Sequence, residues 1–282
     1  VDVVAADPRD ISLSVTTQGS VRPHREINIV SQVAGRVEFT SPYFAEGGFF
    51  DADSELVRVE RSDYEFAKVR AQARVADAAQ LVAQEKGRVR QAAREWRDLG
   101  NEEANALFLR KPQLAGAEAG LRAAEADLGE AALNLTRTSI RVPFNGRISE
   151  KHVDVGQYIT PGTAVARVYD TDVVEVRLPL TDRQVALLDL PLNFQDHSII
   201  GDDSQVTLSA RFAGQLWQWE GKIVRTDASM DLDSRVIYAV VEIQRPFARD
   251  DTSSRPPLAI GLFVEAEIVG RHLPQVSTLP RS

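Results

Sequence analysis

Three patterns of apolar and polar positions succeed one another along the chain. Residues 1–60 and 140–270 alternate apolar and polar positions in short runs, which indicates β-strands, whereas residues 61–137 repeat apolar positions at helical steps of three and four. The alternation predicts about six half-buried strands, a usual number for a small barrel. These strands are expected at 11–15, 174–180, 206–212, 217–223, 236–240 and 262–268.

The helical segment carries two heptad seams, which predict an antiparallel coiled-coil hairpin. Gly100 is a natural helix stop and Asn101 a natural helix start, so two arms of similar length are expected, each roughly 50–60 Å long. A hairpin of that length must project, which predicts an elongated protein. The first seam is Tyr64, Lys68, Ala71, Val75, Ala78, Val82, Glu85, Val89, Ala92, Trp96 and Leu99. The second seam is Leu107, Arg110, Leu114, Ala117, Leu121, Ala124, Leu128, Ala131 and Leu135.

Pro112 falls inside the second arm, where proline removes a helical hydrogen bond and predicts a kink. The alternative is that the second helix starts at Pro112. The seam running through Leu107 favours the kink. A further short helix is expected after Thr181, which forms a capping box with Gln184 and should lead to Leu188.

The segments that flank the hairpin resemble each other. Each consists of a short strand, a glycine turn and another strand pair, and from Gly47 and Gly156 onward the two align without a gap. Neither half is large enough to bury a core, and the antiparallel hairpin returns residue 140 to the neighbourhood of residue 60. The repeat therefore predicts one small β-sandwich split in sequence by the helical insertion. Its structural motif comprises Gly35, Arg36, Gly47, Gly146, Arg147, Gly156 and Gly162.

The composition excludes several classes of protein. The formal net charge of −8 argues against nucleic acid as a partner, because phosphate binding needs a basic face. The absence of cysteine excludes disulfides and thiolate sites, and no apolar run reaches the length of a membrane span. The chain begins at Val1 and its one methionine is Met230, so we expect that a signal peptide or anchor precedes this sequence.

The order of segments and several stretches of sequence resemble the periplasmic adaptor (membrane fusion protein) family of tripartite efflux pumps. The resemblance is carried by residues 33–37 (VAGRV), the seam ending at Leu135, and residues 138–148 (TSIRVPFNGRI), continued by Gly156, Pro161 and Gly162. Residues 219–223 and 231–235 resemble the branch that serves proton-driven resistance-nodulation-division pumps.

The resemblance implies a mainly β fold with a long helical hairpin, a split lipoyl-like sandwich and a six-stranded barrel. The implied domains are a first barrel strand (1–26), a lipoyl-like half (27–60), the hairpin (61–137), a second lipoyl-like half (138–170), the barrel (171–272) and the start of a mostly absent membrane-proximal domain (273–282).

The implied function is that of an adaptor for export of drugs or other small toxic compounds. Its implied partners are an inner-membrane efflux transporter, an outer-membrane channel and further copies of itself in a ring, as a hexamer or a trimer of dimers. The implied location is the periplasm, with attachment to the inner membrane by an N-terminal anchor.

Two other functions share these modules. An adaptor of an ABC-type or type I secretion exporter would have a similar order of segments. A biotinyl or lipoyl carrier would need a lysine on a hairpin turn, and the corresponding turns at 51–53 and 160–162 contain none. The sequence shows no nucleophile elbow, phosphate loop or triad, so no enzyme activity and no cofactor are expected.

The histidines and acidic turns offer no predicted metal site. None of His24, His152, His197 and His272 pairs with another histidine at ligand spacing, and surface positions explain them. The acidic turns near residues 202, 231 and 250 lack the further oxygen ligands of a calcium site. Trp217 and Trp219 share one face of a strand, which favours a place in the barrel core over contact with a pump or a drug.

The connection between the two arms is the candidate functional site. Tips in the resembling family often carry an arginine, a leucine and a downstream serine that dock on the channel. Arg97 and Leu99 match the first two, whereas no serine lies between Leu99 and Lys111. The predicted docking tip consists of Arg97, Asp98, Leu99, Gly100, Asn101, Glu102 and Glu103.

Overall fold

The computed structural model describes residues 9–99, 109–188, 190, 205–227, 236–248 and 255–276. Its elements in chain order are β1 (Arg9–Pro23), β2 (Glu26–Val30), β3 (Gly35–Thr40), β4 (Phe49–Phe50), β5 (Glu55–Val59), α1 (Ser62–Leu99), α2 (Lys111–Arg137), β6 (Ser139–Arg141), β7 (Gly146–Lys151), β8 (Tyr158–Ile159), β9 (Ala164–Asp170), β10 (Val173–Thr181), α3 (Asp182–Val185), β11 (Gln205–Phe212), β12 (Gln215–Thr226), β13 (Val236–Gln244) and β14 (Phe263–Val276).

The chain divides into two compact units, each assembled from segments that are distant in sequence. One unit consists of Val1–Ile27, Phe144–Arg147 and Val168–Ser282, and the other consists of Asn28–Pro143 and Ile148–Arg167.

The first unit contains a closed barrel. Among the described residues, its strands follow the order β1-β10-β13-β12-β11-β14, so all six predicted strands take part and the predicted barrel is confirmed. The alternation in the sequence corresponds to burial: Val176, Leu178 and Leu180 point into the core and are fully buried, whereas Arg177 between the first two is exposed. The helix α3 is a single turn that ends at Val185, shorter than predicted, and Leu188 beyond it packs into the barrel core.

The second unit contains the predicted split sandwich. In the described part of the chain, one sheet has the order β2-β9-β7-β4 and the other β6-β5-β3-β8, so each sheet takes strands from both sides of the hairpin. The two sheets are related by the internal repeat, because β3, β4 and β5 of the first half correspond to β7, β8 and β9 of the second. Because both sheets combine strands of the two halves, the prediction of a sandwich closed by both is confirmed.

The repeat extends to the backbone conformation of its turns. Gly47 and Gly156 occupy equivalent positions and both have positive φ, at 80° and 91°. Six residues later, Asp53 (φ 58°) and Gly162 (φ 89°) are again equivalent and again left-handed. Aspartate is one of the few residues other than glycine that adopts this conformation readily, which explains why one half of the repeat can dispense with glycine there.

The second helix begins later than the seam predicted. The helix α2 starts at Lys111, with Pro112 in its first turn and Arg110 at the N-cap in the left-handed conformation (φ 56°). A left-handed residue interrupts helical hydrogen bonding, and proline is well tolerated in a first turn, where its missing N–H costs nothing. The predicted kink at Pro112 is therefore wrong, and the alternative that the helix starts there is correct.

Candidate interaction site in the helical hairpin

The two helices pack along the predicted seams. Every seam position from Tyr64 to Trp96 and from Arg110 to Leu135 is buried or half-buried, and Ala71, Val82 and Ala124 are the most deeply covered. Small side chains at these positions allow the helix axes to approach closely. The seams thus confirm the coiled-coil hairpin.

Ion pairs between the helices show their antiparallel register. Arg74 Nη1 lies 3.8 Å from Asp127 Oδ2, and Lys86 Nζ lies 3.5 Å from Glu118 Oε1. All four side chains are largely exposed, so these pairs contribute little to stability. They are useful as markers of register, because they place the first turns of α2 opposite the second half of α1.

A polar contact occupies the seam at that point. Arg110 donates to Glu85 Oε2 from Nη2 at 2.9 Å and from Nε at 3.1 Å, and Arg88 donates to Glu85 Oε1 at 2.5 Å. The hydrogen bond from Arg110, with help from Arg88, lowers the pKa of the Glu85 carboxyl. Both Glu85 and Arg110 are seam positions that interrupt the apolar pattern, and they pair with each other. A polar pair of this kind specifies helix register, because any slip would leave both charges unpaired.

The arms differ in length. The helix α1 has 38 residues and α2 has 27, so α1 is longer by about 16 Å at 1.5 Å per residue. The described helices therefore differ in length, whereas the sequence predicted two arms of similar length. The cause is the left-handed Arg110, which the heptad pattern running through Leu107 did not reveal.

The structure describes only part of the predicted docking tip. Arg97 lies in the last turn of α1 and is exposed, where its positive charge is favourable beside the helix C-terminus. Asp98 and Leu99 complete α1, and their side chains lie outside the described residues. Gly100, Asn101, Glu102 and Glu103 also lie outside the described residues. Docking by this tip stays a prediction.

At the opposite end of the hairpin, a charged network fastens the helices to the sandwich. Glu55 Oε1 accepts from Ser139 Oγ at 2.5 Å, and the Glu55 carboxylate also accepts from Arg58 and, at 3.4 Å, from Arg61. The Tyr64 hydroxyl donates to the carbonyl of Ala34 at 2.6 Å. The network ties the strands β5 and β6 to the point where the chain enters α1. It was missed in the sequence because its members are far apart in the chain and form no motif.

The Glu55 network predicts a dependence of stability on pH. The pKa of Glu55 is lowered from 4.5 to about 2, and the largest cause is the hydrogen bond from Arg58. Burial acts in the opposite direction, whereas Ser139 and Arg61 lower the pKa further. Because the folded-state pKa is depressed, the stabilisation is present above pH 4.5 and is lost as the pH falls toward 2.

We therefore expect Glu55→Gln to lower the free energy of unfolding at pH 7 and to flatten its decline between about pH 4.5 and pH 2. Urea denaturation at several pH values measures both effects. Glu65→Gln, on the exposed side of the first turn of α1, is the control and should preserve the wild-type pH profile. An unchanged profile in Glu55→Gln would show that the network does not couple to folding.

The residues of the predicted lipoyl-like motif lie at turns and strand starts of the sandwich. Gly35 begins β3, where an added Cβ would lie 2.5 Å from Val59 Cγ1, so the two strands meet there only because Gly35 has no side chain. Arg36 Nε lies 3.9 Å from Glu60 Oε2, and Gly146 and Arg147 begin β7. The turns at 51–53 and 160–162 are the exposed turns where a carrier domain would present a lysine, and they hold none.

The structure brings together a cluster that the sequence did not suggest. His24, Glu175 and Glu242 present ligand atoms within 4.8 Å of one another, and His24 Nδ1 lies 2.6 Å from Glu175 Oε1. Arg225 donates to both oxygens of Glu175, at 2.9 and 2.8 Å. Burial raises the pKa of Glu175, but the hydrogen bonds from Arg225 and His24 outweigh it and leave that pKa lowered. With a guanidinium across both oxygens, the geometry is that of an ion-pair network rather than an open coordination site.

The remaining histidines have surface surroundings where they are described. His152 Nε2 lies 3.6 Å from Glu150, and His272 Nε2 lies 3.8 Å from Asp10, with all four side chains well exposed. His197 lies outside the described residues. The tryptophans follow the prediction of a place in the barrel core: Trp219 is buried there and Trp217 packs against it.

Comparison with curated proteins gives similarity along most of the chain. It is 25% identical over 99% of its length to the efflux pump periplasmic linker BepD of Brucella suis, 25% over 82% to the membrane fusion protein MtrC of Neisseria gonorrhoeae, and 28% over 64% to the multidrug resistance protein MdtA of Yersinia pestis. The matches span 68%, 56% and 41% of those proteins, so this chain corresponds to about half to two thirds of such relatives. No family model matches the chain.

Solved structures show the same fold. A MacA–MexA chimera that carries the α-hairpin of Pseudomonas aeruginosa MexA superposes with a TM-score of 0.65, at 18% identity, over 98% of this chain and 88% of that one. The resemblance to the periplasmic adaptor family is confirmed. The membrane fusion protein Spr0693 of Streptococcus pneumoniae has the adaptor fold as well, with a TM-score of 0.62 at 17% identity over 91% of this chain and 99% of that one. None of the described helices combines the length and the apolar character needed to cross a membrane.

Proposed function

We propose that this chain is the periplasmic adaptor subunit of a tripartite efflux pump, linking a proton-driven inner-membrane transporter to an outer-membrane channel for export of drugs or other small toxic compounds. The observation that carries the proposal is the helical hairpin inserted into the split sandwich. Its two seams are satisfied within the hairpin, and Arg97 in the last turn of α1 is exposed. A long hairpin of this kind serves to reach a partner, because its far end adds nothing to a core.

The relatives support the same assignment. Their names describe an efflux pump periplasmic linker, a membrane fusion protein and a multidrug resistance protein. The proton-driven branch is favoured by the resemblance of residues 219–223 and 231–235 noted above. A second candidate, the adaptor of an ABC-type exporter, is supported by the likeness to a chimera built partly from MacA.

Each part of the chain has a place in this proposal. The hairpin (61–137) reaches the channel, the lipoyl-like halves (27–60 and 138–170) and the barrel (1–26 and 171–272) pack into a ring of copies, and residues 273–282 lead toward a membrane-proximal domain. The adaptor works in the periplasm, held to the inner membrane by an N-terminal anchor. It catalyses no reaction and needs no cofactor, since its role is assembly.

Efflux measurements test the proposal and separate its two forms. Deletion of the full-length gene should raise the accumulation of a fluorescent efflux dye several-fold, and the wild-type gene on a plasmid should restore efflux. In the restored strain, an uncoupler that collapses the proton gradient should abolish efflux, whereas vanadate, an inhibitor of ABC transporters, should leave it intact. The reverse pattern would establish the ABC-type partner, and unchanged accumulation on deletion would contradict a role in efflux of that dye.

A further inference from the structure

A cavity of about 330 Å³ opens on the side of the barrel, where the ladder between β12 and β13 ends. The paired residues of that ladder begin at Lys222 and Glu242, and beyond this pair the two strands separate around the cavity. Its volume lies at the lower end of the range for small-molecule sites. The described lining includes Thr207, Trp219, Ile243, Arg245, Pro246 and Arg255.

Trp219 contributes an unsatisfied donor to this part of the barrel. The side chain is 3% exposed, and its indole N–H has no hydrogen-bond acceptor in the described part of the chain. Trp217, two residues earlier, differs, because its indole N–H donates to the carbonyl of Phe212 at 3.3 Å. Buried donors without acceptors are rare in folded proteins, so an acceptor supplied by a bound molecule would account for this one.

Two arginines line the same cavity. Arg255 Nη1 makes one long hydrogen bond of 3.4 Å, to the carbonyl of Gln218, and a guanidinium has five N–H donors. Arg245 has a left-handed backbone (φ 49°), held by a hydrogen bond of 2.7 Å from its N–H to the carbonyl of Asp172. Strained conformations of this kind concentrate at ligand sites, where the surrounding structure positions a side chain for binding.

We propose that this cavity binds a small organic carboxylate. The carboxylate oxygens accept from the guanidiniums of Arg245 and Arg255 and from the Trp219 indole, and the hydrocarbon part packs on Ile243 and Pro246. Carboxylates fit a guanidinium better than neutral acceptors do, because both oxygens can bond the planar fork. Glu220, on the rim, opposes a second negative charge, so a monoanion is the preferred ligand. This site is independent of the proposed role in efflux.

Isothermal titration of the 282-residue chain with sodium benzoate, and with benzamide as a neutral molecule of the same shape, tests the site. Benzoate should bind saturably and about tenfold more tightly than benzamide, the difference expected for a charge-assisted hydrogen bond. Trp219→Phe and Arg255→Gln should each lower the affinity for benzoate about tenfold. Trp217→Phe is the matched control, since its indole is already paired outside the cavity lining, and should bind as the wild type does.

The site is refuted if benzoate gives no saturable heat, which would leave only water in the cavity. It is equally refuted if benzamide binds as tightly as benzoate, or if Arg255→Gln binds benzoate like the wild type. Should Trp219→Phe fail to fold, Arg255→Gln still decides the question, because Arg255 is exposed and outside the core.

Discussion

Replacing Ile148 by aspartate should strongly destabilise the sandwich. Ile148 lies on β7, is 1% exposed, and belongs to the half of the repeat that follows the hairpin. The substitution removes a large apolar side chain from a small core and places a charge there without a partner, for a cost of about 4 kcal/mol or more. That is a large share of the 5–15 kcal/mol by which a typical domain is stable. The urea midpoint and melting temperature of the sandwich should therefore fall steeply.

Ser149→Asp is the matched control for this experiment. Ser149 is the next residue on β7 and is exposed, so the same aspartate is introduced on the opposite face of the same strand. Its free energy of unfolding should lie within about 0.5 kcal/mol of the wild-type value, as is usual for surface substitutions. If Ile148→Asp proved as stable as Ser149→Asp, the second half of the repeat would not contribute to the core, and the closed two-half sandwich would be wrong.

Charge reversal at Arg97 should abolish drug resistance without unfolding the protein. Arg97 is exposed at the end of α1, so Arg97→Asp removes no packing, and its effect on the helix dipole is limited to about 1 kcal/mol. In the proposed assembly, each tip makes few contacts with the channel, and these contacts gain strength by repetition around the proposed ring. A defect in the single contact is repeated in every copy, which is why a large functional effect is expected from a small local change.

Complementation of a deletion strain with the full-length gene measures this effect as the minimal inhibitory concentration of an exported drug. Leu99→Asp should behave like Arg97→Asp. Arg90→Asp is the matched control, because it makes the same charge reversal at an exposed position one heptad nearer the body, and it should retain resistance. Full resistance in Arg97→Asp together with loss in Arg90→Asp would move the contact from the tip to the flank of the hairpin.

The hairpin shows how much of a helix pair can be predicted from the spacing of apolar residues. The first seam was correct from Tyr64 to Trp96, since burial along a helix is dictated by local spacing. The start of α2 was misplaced, because the left-handed backbone of Arg110 leaves no trace in a pattern of apolar positions. The pairing of Glu85 with Arg110 was equally hidden, although both stood out as polar residues in apolar seams. The register of the two helices decides which polar residues pair, and that register is set only when the hairpin packs.

The sequence by itself determined the order of modules: six alternating strands, two heptad seams, and a repeat divided by the seams. These features are local or repeat at fixed spacing, so they can be recognised without knowledge of the tertiary contacts. Tertiary structure alone decided which distant residues meet. The Glu55 network and the cluster around Glu175 join segments separated by dozens of residues. Such contacts arise from the closure of sheets and the barrel, and closure is a property of the whole chain that no short pattern encodes.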